Sequence, residues 1–239
     1  MNGGMIRFIL GSVLKVESVL LLFPCIVAVF YRESAGYWFL LTAVLSFVIG
    51  YLMVRKKPAN TVFYLKEGCV TTALSWIMIS LVGCLPFYLS GEIPAFTDAL
   101  FETISGFTTT GASILSDVEC LSQSILFWRS FSHWIGGMGV LVFMLALLPM
   151  AEPSSLHLMK AESPGPSVGK LVPKARSTAK ILYQIYFVLT VAMLVCMILT
   201  GCPLFDSINL TFATAGTGGF GVLDSSAAEY GAATQWVMT

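Results

Sequence analysis

Phe107–Ser113 reads FTTTGAS. Three successive β-branched threonines disfavour helix, because each loses rotamer freedom against the preceding turn. Gly111 then opens backbone angles that other residues adopt only at a cost. The stretch therefore ends whatever helix precedes it. Its surroundings decide what the break is for.

Those surroundings are apolar. Of 239 residues, 56% are hydrophobic and 11% charged, and mean hydropathy is +0.84. Soluble domains carry roughly 25% charged residues. The sequence therefore reads as an all-α integral membrane protein in the lipid bilayer. The formal net charge is zero, which argues against a nucleic-acid partner. The cysteines (25, 69, 84, 120, 196 and 202) form no CxxC pair and read as small buried hydrophobes. No small-residue cleavage site follows the first apolar piece, so that piece is expected to be retained.

A spanning helix needs about 20 mostly apolar residues. Five segments come near this: Val16–Tyr31, Tyr37–Val54, Gly68–Leu89, Ile125–Met150 and Ile181–Thr200. A sixth begins near Ala232. The first is short unless it extends back through Phe8–Leu14, past Lys15 and Glu17, which could then snorkel to the interface. With a cytoplasmic N-terminus and alternating spans, Arg7, Lys15, Arg55, Lys56, Lys57, Lys66, Lys160, Lys170, Lys174, Arg176 and Lys180 fall inside. Only Arg32 and Arg129 fall outside, a strong positive-inside bias. Glu33, Glu92, Asp98, Glu102, Asp117, Glu119, Asp206, Asp224 and Glu229 fall outside and would draw cations to an outer mouth.

Ala95–Phe107 (AFTDALFETISGF) is helical in pattern but too short to span, which suggests a re-entrant helix running into FTTTGAS. Non-helical backbone at membrane depth is tolerated only where it is buried in protein or lines a wet cavity. The arrangement recurs: Leu204–Ala215 (LFDSINLTFATA) runs into GTGGFG at Gly216–Gly221. Asp98 precedes Gly111 by 13 positions, and Asp206 precedes Gly218 by 12. A dehydrated cation needs a ring of oxygens, which carbonyls and threonine hydroxyls supply. A short helix pointing its C-terminal end at the membrane centre also favours a cation. Thr108, Thr109, Thr110 and Gly111 suit this in the first loop, and Gly216, Thr217, Gly218 and Gly219 in the second. The same residues also suit re-entrant turns that only let helices approach closely.

FETISGFTTTGAS (101–113) resembles the first pore loop of the Trk/Ktr/HKT potassium-transporter superfamily, closest to bacterial Trk-type membrane subunits. The likeness continues through FWRSFSHWIGGMGVLVFMLALLP (127–149), HLMKAESPGP (157–166), KLVPKARSTAKILYQIY (170–186) and FATAGTGGFG (212–221). It implies two N-terminal transmembrane helices (1–67), a first span–pore helix–filter loop–span repeat (68–150), a cytoplasmic linker (151–180) and a truncated second repeat (181–239). Four such repeats surround one pore in the family, so this chain is expected to be the N-terminal half of a longer protein. The resemblance implies inward K+ transport across the inner membrane, with K+ as the transported ion and no cofactor bound. It makes Thr109, Thr110, Gly111, Thr217 and Gly218 the filter ligands, with Thr110–Gly111 and Thr217–Gly218 as the paired positions. Glycine at these positions goes with potassium, serine in the first loop with sodium. It further implies a homodimer and a soluble, nucleotide-binding regulatory ring on the cytoplasmic side.

Other residues admit other chemistry. Asp98 and Glu102, one helical turn apart, could do acid–base work with His133 in a membrane-embedded enzyme, or face the vestibule or cap the pore helix. A non-conducting structural subunit is a third reading; the resemblance favours a transporter and not an enzyme. His133 and His157 lack a second ligand at metal spacing. Arg129 is expected to pair with an acid or a lipid phosphate. Gly136, Gly137 and Gly139 suit close helix packing. The proline-rich stretch 151–179 reads as a solvated connector that the family would place against the regulatory ring. Nothing follows the Gly-rich phosphate-loop pattern, so nucleotide binding by this chain is not expected.

Overall fold

A computed structural model describes residues 2–56, 58, 64–139 and 175–239. Among them every regular element is a helix: α1 (Gly3–Leu20), α2 (Leu22–Tyr31), α3 (Ala35–Val54), α4 (Leu65–Gly83), α5 (Leu85–Leu89), α6 (Phe96–Phe107), α7 (Gln123–Met138), α8 (Ala175–Leu199), α9 (Leu204–Ala215) and α10 (Ala232–Met238).

Four stretches are long and apolar enough to cross a membrane: Gly3–Tyr31, Ala35–Val54, Lys66–Leu89 and Ala179–Leu199. Two of them carry a break, and a proline explains each. Pro24 offers no N–H to the Leu20 carbonyl, and the chain turns at Leu21 between α1 and α2. Pro86 likewise offers no N–H to the Val82 carbonyl, and the turn at Cys84 separates α4 from α5. The first span extends back to Gly3, so Glu17 lies well inside it. Glu17 does not snorkel; it is 3% exposed, packed among helices. Of the expected span Ile125–Met150, the structure describes α7 and Gly139. Residues 140–150 and 151–174 of the expected linker lie outside the described residues.

In lipid, apolar burial drives helix association weakly, so close packing and interhelical hydrogen bonds hold the bundle. α1 crosses α3 where two glycines meet: a Cβ on Gly11 would lie 2.9 Å from the Gly50 carbonyl, and one on Gly50 2.7 Å from that of Gly11. Ser46 Oγ donates to the Leu14 carbonyl at 2.9 Å beside this crossing. Trp128 of α7 is fully buried, its ring edge-on to Phe39 and Phe107, its Nε1–H donating to the Gly83 carbonyl at 2.9 Å. α8 is fastened to α7 by Trp134 Nε1–H to Thr190 Oγ1 (3.0 Å) and Tyr186 O–H to the Trp134 carbonyl (3.0 Å). Leu40, Leu41, Val44, Leu45 and Val48 of α3 face outward, as a lipid-facing surface requires.

α7 is the helix that matters for the loops. It packs against both short helices, α6 and α9. Its N-terminal end is held by carboxylates from two other segments. Glu33 accepts from the Gln123 and Ser124 N–H groups (2.7 and 3.0 Å), and Glu92 from the Ser122 N–H (2.7 Å). These satisfy donors that a helix start leaves unpaired and place negative charge at the positive end of its dipole.

Candidate functional site

α6 and α9 are each 12 residues long and each carries an aspartate in its first turn, Asp98 and Asp206. Both end in the same way. Thr108 N–H bonds the Ile104 carbonyl, Thr109 N–H that of Gly106, and Thr110 N–H that of Ser105. Gly216, Thr217 and Gly218 bond Phe212, Thr214 and Ala213 in the same order. The backbone then turns left-handed at Thr109 (φ 55°) and Gly111 (φ 72°), and again at Thr217 (φ 59°) and Gly219 (φ 88°). The two loops therefore correspond one for one: Thr109 with Thr217, Thr110 with Gly218, Gly111 with Gly219. Pairing Thr110–Gly111 with Thr217–Gly218, as the shared Thr-Gly letters suggest, is off by one residue. The helix ends set the register, and they put Gly219 opposite Gly111.

A β-branched residue in the left-handed region is rare and costs of order 1–3 kcal/mol. Here it occurs twice, at the same step of two separate loops. The glycines divide by cause. Gly111 and Gly219 supply positive φ. Gly216 and Gly218 are needed because α7 is so close: a Cβ on either would run into His133, on Gly216 its backbone and on Gly218 its ring. Gly136 and Gly137 of α7 give the matching room, against the Phe107 carbonyl and against Gly216. The loops also meet each other, since a Cβ on Gly111 would collide with the Gly218 carbonyl oxygen.

Side chains finish the two loops differently. In the first, Thr108 Oγ1 donates to the Ile104 carbonyl at 2.7 Å, so Thr110 Oγ1 must be the donor in its 2.8 Å bond with Thr108. In the second, the His133 ring stacks at 4.1 Å on Phe220. Thr217, Gly218 and Gly219 line an open cavity of about 860 Å³. Among the described residues no three His, Cys, Asp or Glu side chains gather as metal ligands; a cation at these loops would meet carbonyl and hydroxyl oxygens.

Behind both loops lies an ion pair. Arg129 of α7 is 2% exposed and Glu102 of α6 is 1% exposed. Arg129 Nε and Nη2 reach Glu102 Oε1 at 2.8 and 2.6 Å. Glu102 also accepts from Ser113 Oγ (2.9 Å) and the Ile114 N–H (3.2 Å). Arg129 also reaches the Gly221 carbonyl at 3.4 Å, and its guanidinium sits 4.3 Å over the Phe220 ring. The expectation that Arg129 pairs with an acid is met, and Glu102 is that acid rather than a vestibule group. Asp98 is bonded to Thr97 instead. Asp98, Glu102 and His133 share no hydrogen bond among the described residues.

Several of the acids expected at the outer mouth act inside the structure. Asp224 accepts from the Val118 N–H at 2.7 Å and its own N–H bonds Glu119 at 3.1 Å, joining the stretches that follow the two loops. Asp206 accepts from the Tyr230 hydroxyl at 3.0 Å. Sequence reasoning missed these ties and the His133–Gly218 contact, because they join residues far apart in the chain.

Residues 37–239 match the family described as "TrkH: Cation transport protein". The Trk system potassium uptake protein TrkH of Salmonella typhimurium is 38% identical over 224 residues, 91% of this chain and 46% of that protein. An uncharacterised cation transporter of Methanocaldococcus jannaschii is 34% identical over 222 residues, 92% of this chain and 46% of its own length. The crystal structure of the potassium transporter TrkH from Vibrio parahaemolyticus matches with a TM-score of 0.82 at 30% identity, covering 100% of this chain and 48% of that one. This chain thus spans about half the length of the curated relatives it matches. On sequence and fold together, the chain belongs to the TrkH family of cation transport proteins.

Proposed function

We propose that this chain forms part of the membrane subunit of a potassium-uptake system, and that its two loops are filter segments. The observation that carries this is the repeated left-handed threonine, Thr109 and Thr217, followed two residues on by a left-handed glycine in each loop. Strained backbone at matched positions is expected where carbonyls must be held at set angles toward a ligand. K+ would shed water onto the carbonyls of Thr109, Thr110 and Gly111 in one loop and of Thr217, Gly218 and Gly219 in the other. Each short helix adds the partial negative charge of its C-terminal end. An inside-negative potential, worth about 2.3 kcal/mol per charge per 100 mV, favours inward movement.

The close-packing alternative accounts for Gly216 and Gly218, which abut His133. It does not account for Gly219, where an added Cβ would meet nothing within 4 Å. The rest of the reading rests on the family: two N-terminal helices (1–67), one span–loop–span repeat (68–150), a linker (151–180) and part of another repeat (181–239), four repeats around the pore of the whole protein. It also includes an inner-membrane location with a cytoplasmic N-terminus, a homodimer, and a cytoplasmic nucleotide-binding ring. Similarity to proteins named for potassium uptake supports K+ as the ion.

The test is ion uptake by the full-length protein in cells lacking other potassium-uptake systems. Gly111→Ser and Gly219→Ser are each expected to lower the K+/Na+ uptake ratio while the protein remains in the membrane. An unchanged ratio for both variants would sink the filter reading.

A further inference from the structure

We infer that Arg129, Glu102 and Ser113 form a clasp that positions both filter loops, and so act as specificity-determining residues without touching the ion. The inference rests on the filter reading above. A loop that ligands an ion through its carbonyls has little to hold it in place except what lies behind it. Loop one leaves its left-handed Gly111 as irregular chain, with no regular element until α7 begins. Glu102 catches that chain two and three residues on, through Ser113 Oγ and the Ile114 N–H. Arg129 reaches the same Ser113 hydroxyl at 3.3 Å. All three partners come from different places: the short helix, the loop's exit and the supporting helix.

The second loop has no such acid. The residue of α9 that matches Glu102 is Leu210, which is buried. Loop two borrows instead from loop one's clasp. The Arg129 guanidinium lies over Phe220 and reaches the Gly221 carbonyl, the two residues that follow Gly219. One buried cation therefore touches the exit of each loop, and among the described residues the only acid bonded to it is Glu102. With Glu102 gone, Arg129 would keep its charge in a desolvated site and turn toward other oxygens. The oxygens already within its reach are the Ser113 hydroxyl and the Gly221 carbonyl, at the exits of the two loops, so a shift of the guanidinium would pull on both exits. The guanidinium fork suits this bridging role, since it bonds several acceptors in fixed directions at once.

The experiment is the K+/Na+ uptake ratio of the full-length protein, read alongside the amount present in the membrane. Glu102→Gln is expected to lower the ratio about tenfold, the effect of losing one charge-assisted hydrogen bond at the loop. Arg129→Lys, which keeps the charge but loses the fork, should fall between Glu102→Gln and wild type. Ser113→Ala leaves the ion pair intact and should shift the ratio in the same direction by less. It decides the matter if the Glu102 variant does not reach the membrane. A purely structural pair would lower the amount of protein or its uptake of both ions and leave the ratio alone; that result overturns the clasp. Gly219→Ser separates the two levels. If it changes the ratio while Glu102→Gln and Ser113→Ala do not, the clasp falls and the filter stands. If none of the three moves the ratio the clasp falls, and if Gly111→Ser leaves it unchanged as well the filter reading falls with it.

Discussion

The two loops have one backbone and two scaffolds. Loop one is rich in side-chain bonds: threonine hydroxyls joined to each other and a buried ion pair behind the exit. Loop two is nearly bare, built of glycines pressed onto His133 and a phenylalanine under a guanidinium. Yet hydrogen bonds, helix ends and left-handed turns agree step for step. What is held common is the course of the backbone; the means of holding it is free to differ. That is what one expects if the backbone is the ligand and the side chains are its support.

This contrast can be broken. The largest effect on uptake is expected at Gly218→Val in the full-length protein, which drives a branched side chain into the His133 ring. Overpacking of this kind costs typically 1–3 kcal/mol, occasionally more, and uptake should be lost. Adding His133→Ala makes room and should restore part of it; no restoration would mean that Gly218 is glycine for another reason. At the matching position in loop one, Thr110→Val meets no such ring and should cost about 1 kcal/mol, the net worth of its hydroxyl bond to Thr108, read as thermal unfolding in detergent.

Glu102→Ala has the largest expected cost in stability. It strands Arg129 in a buried site, and breaking a buried pair costs about 3–5 kcal/mol. The unfolding temperature of the purified protein should drop clearly; wild-type stability would show that loop one is not held from behind. Smaller and more diagnostic are Thr109→Gly and Thr217→Gly. Each removes left-handed strain but loosens the unfolded chain, so each should stabilise by about 0.5 kcal/mol. Similar shifts are required in both loops, and a gain in only one would break their equivalence.

The smallest effect concerns which side of the membrane the loops open to. Cys120 is exposed in the stretch after loop one. It should react with a membrane-impermeant maleimide added outside intact cells, whereas Cys69, near the start of α4, should not. Desolvation and then the neighbouring Asp117 carboxylate raise the Cys120 thiol's pKa. Less of it is thiolate at neutral pH, and its labelling rate should keep rising beyond the pH where a free cysteine levels off. Labelling of Cys69 and not Cys120 would invert the topology.

Much of this was legible in the sequence. The uniform hydropathy of α3 and α8 marks spans without help from tertiary contacts. The apolar face of α6 and the threonines after it mark a short helix that stops. The register slip was legible too, in hindsight of a specific kind: Asp98 to Gly111 and Asp206 to Gly218 differ by one position, and using Gly219 removes the difference. Identical dipeptides misled because letters were matched where helix ends should have been. The Glu102–Arg129 pair was half legible. An arginine near a membrane needs a partner, but nothing in one sequence says which of nine outer acids it takes. The contact of His133 with Gly218 was not legible at all, since it depends on how closely α7 and α9 approach.

The carboxylates of Glu33 and Glu92 fix the N-terminal end of α7, while its other described end closes at Gly139 with φ 77°. The Gly139 carbonyl accepts from the Tyr183 hydroxyl at 3.2 Å, so the helix is held at both described ends. Both loops rest on α7 close to Gly136 and Gly137, which makes α7 a shared rail: any shift of it reaches the two loops together.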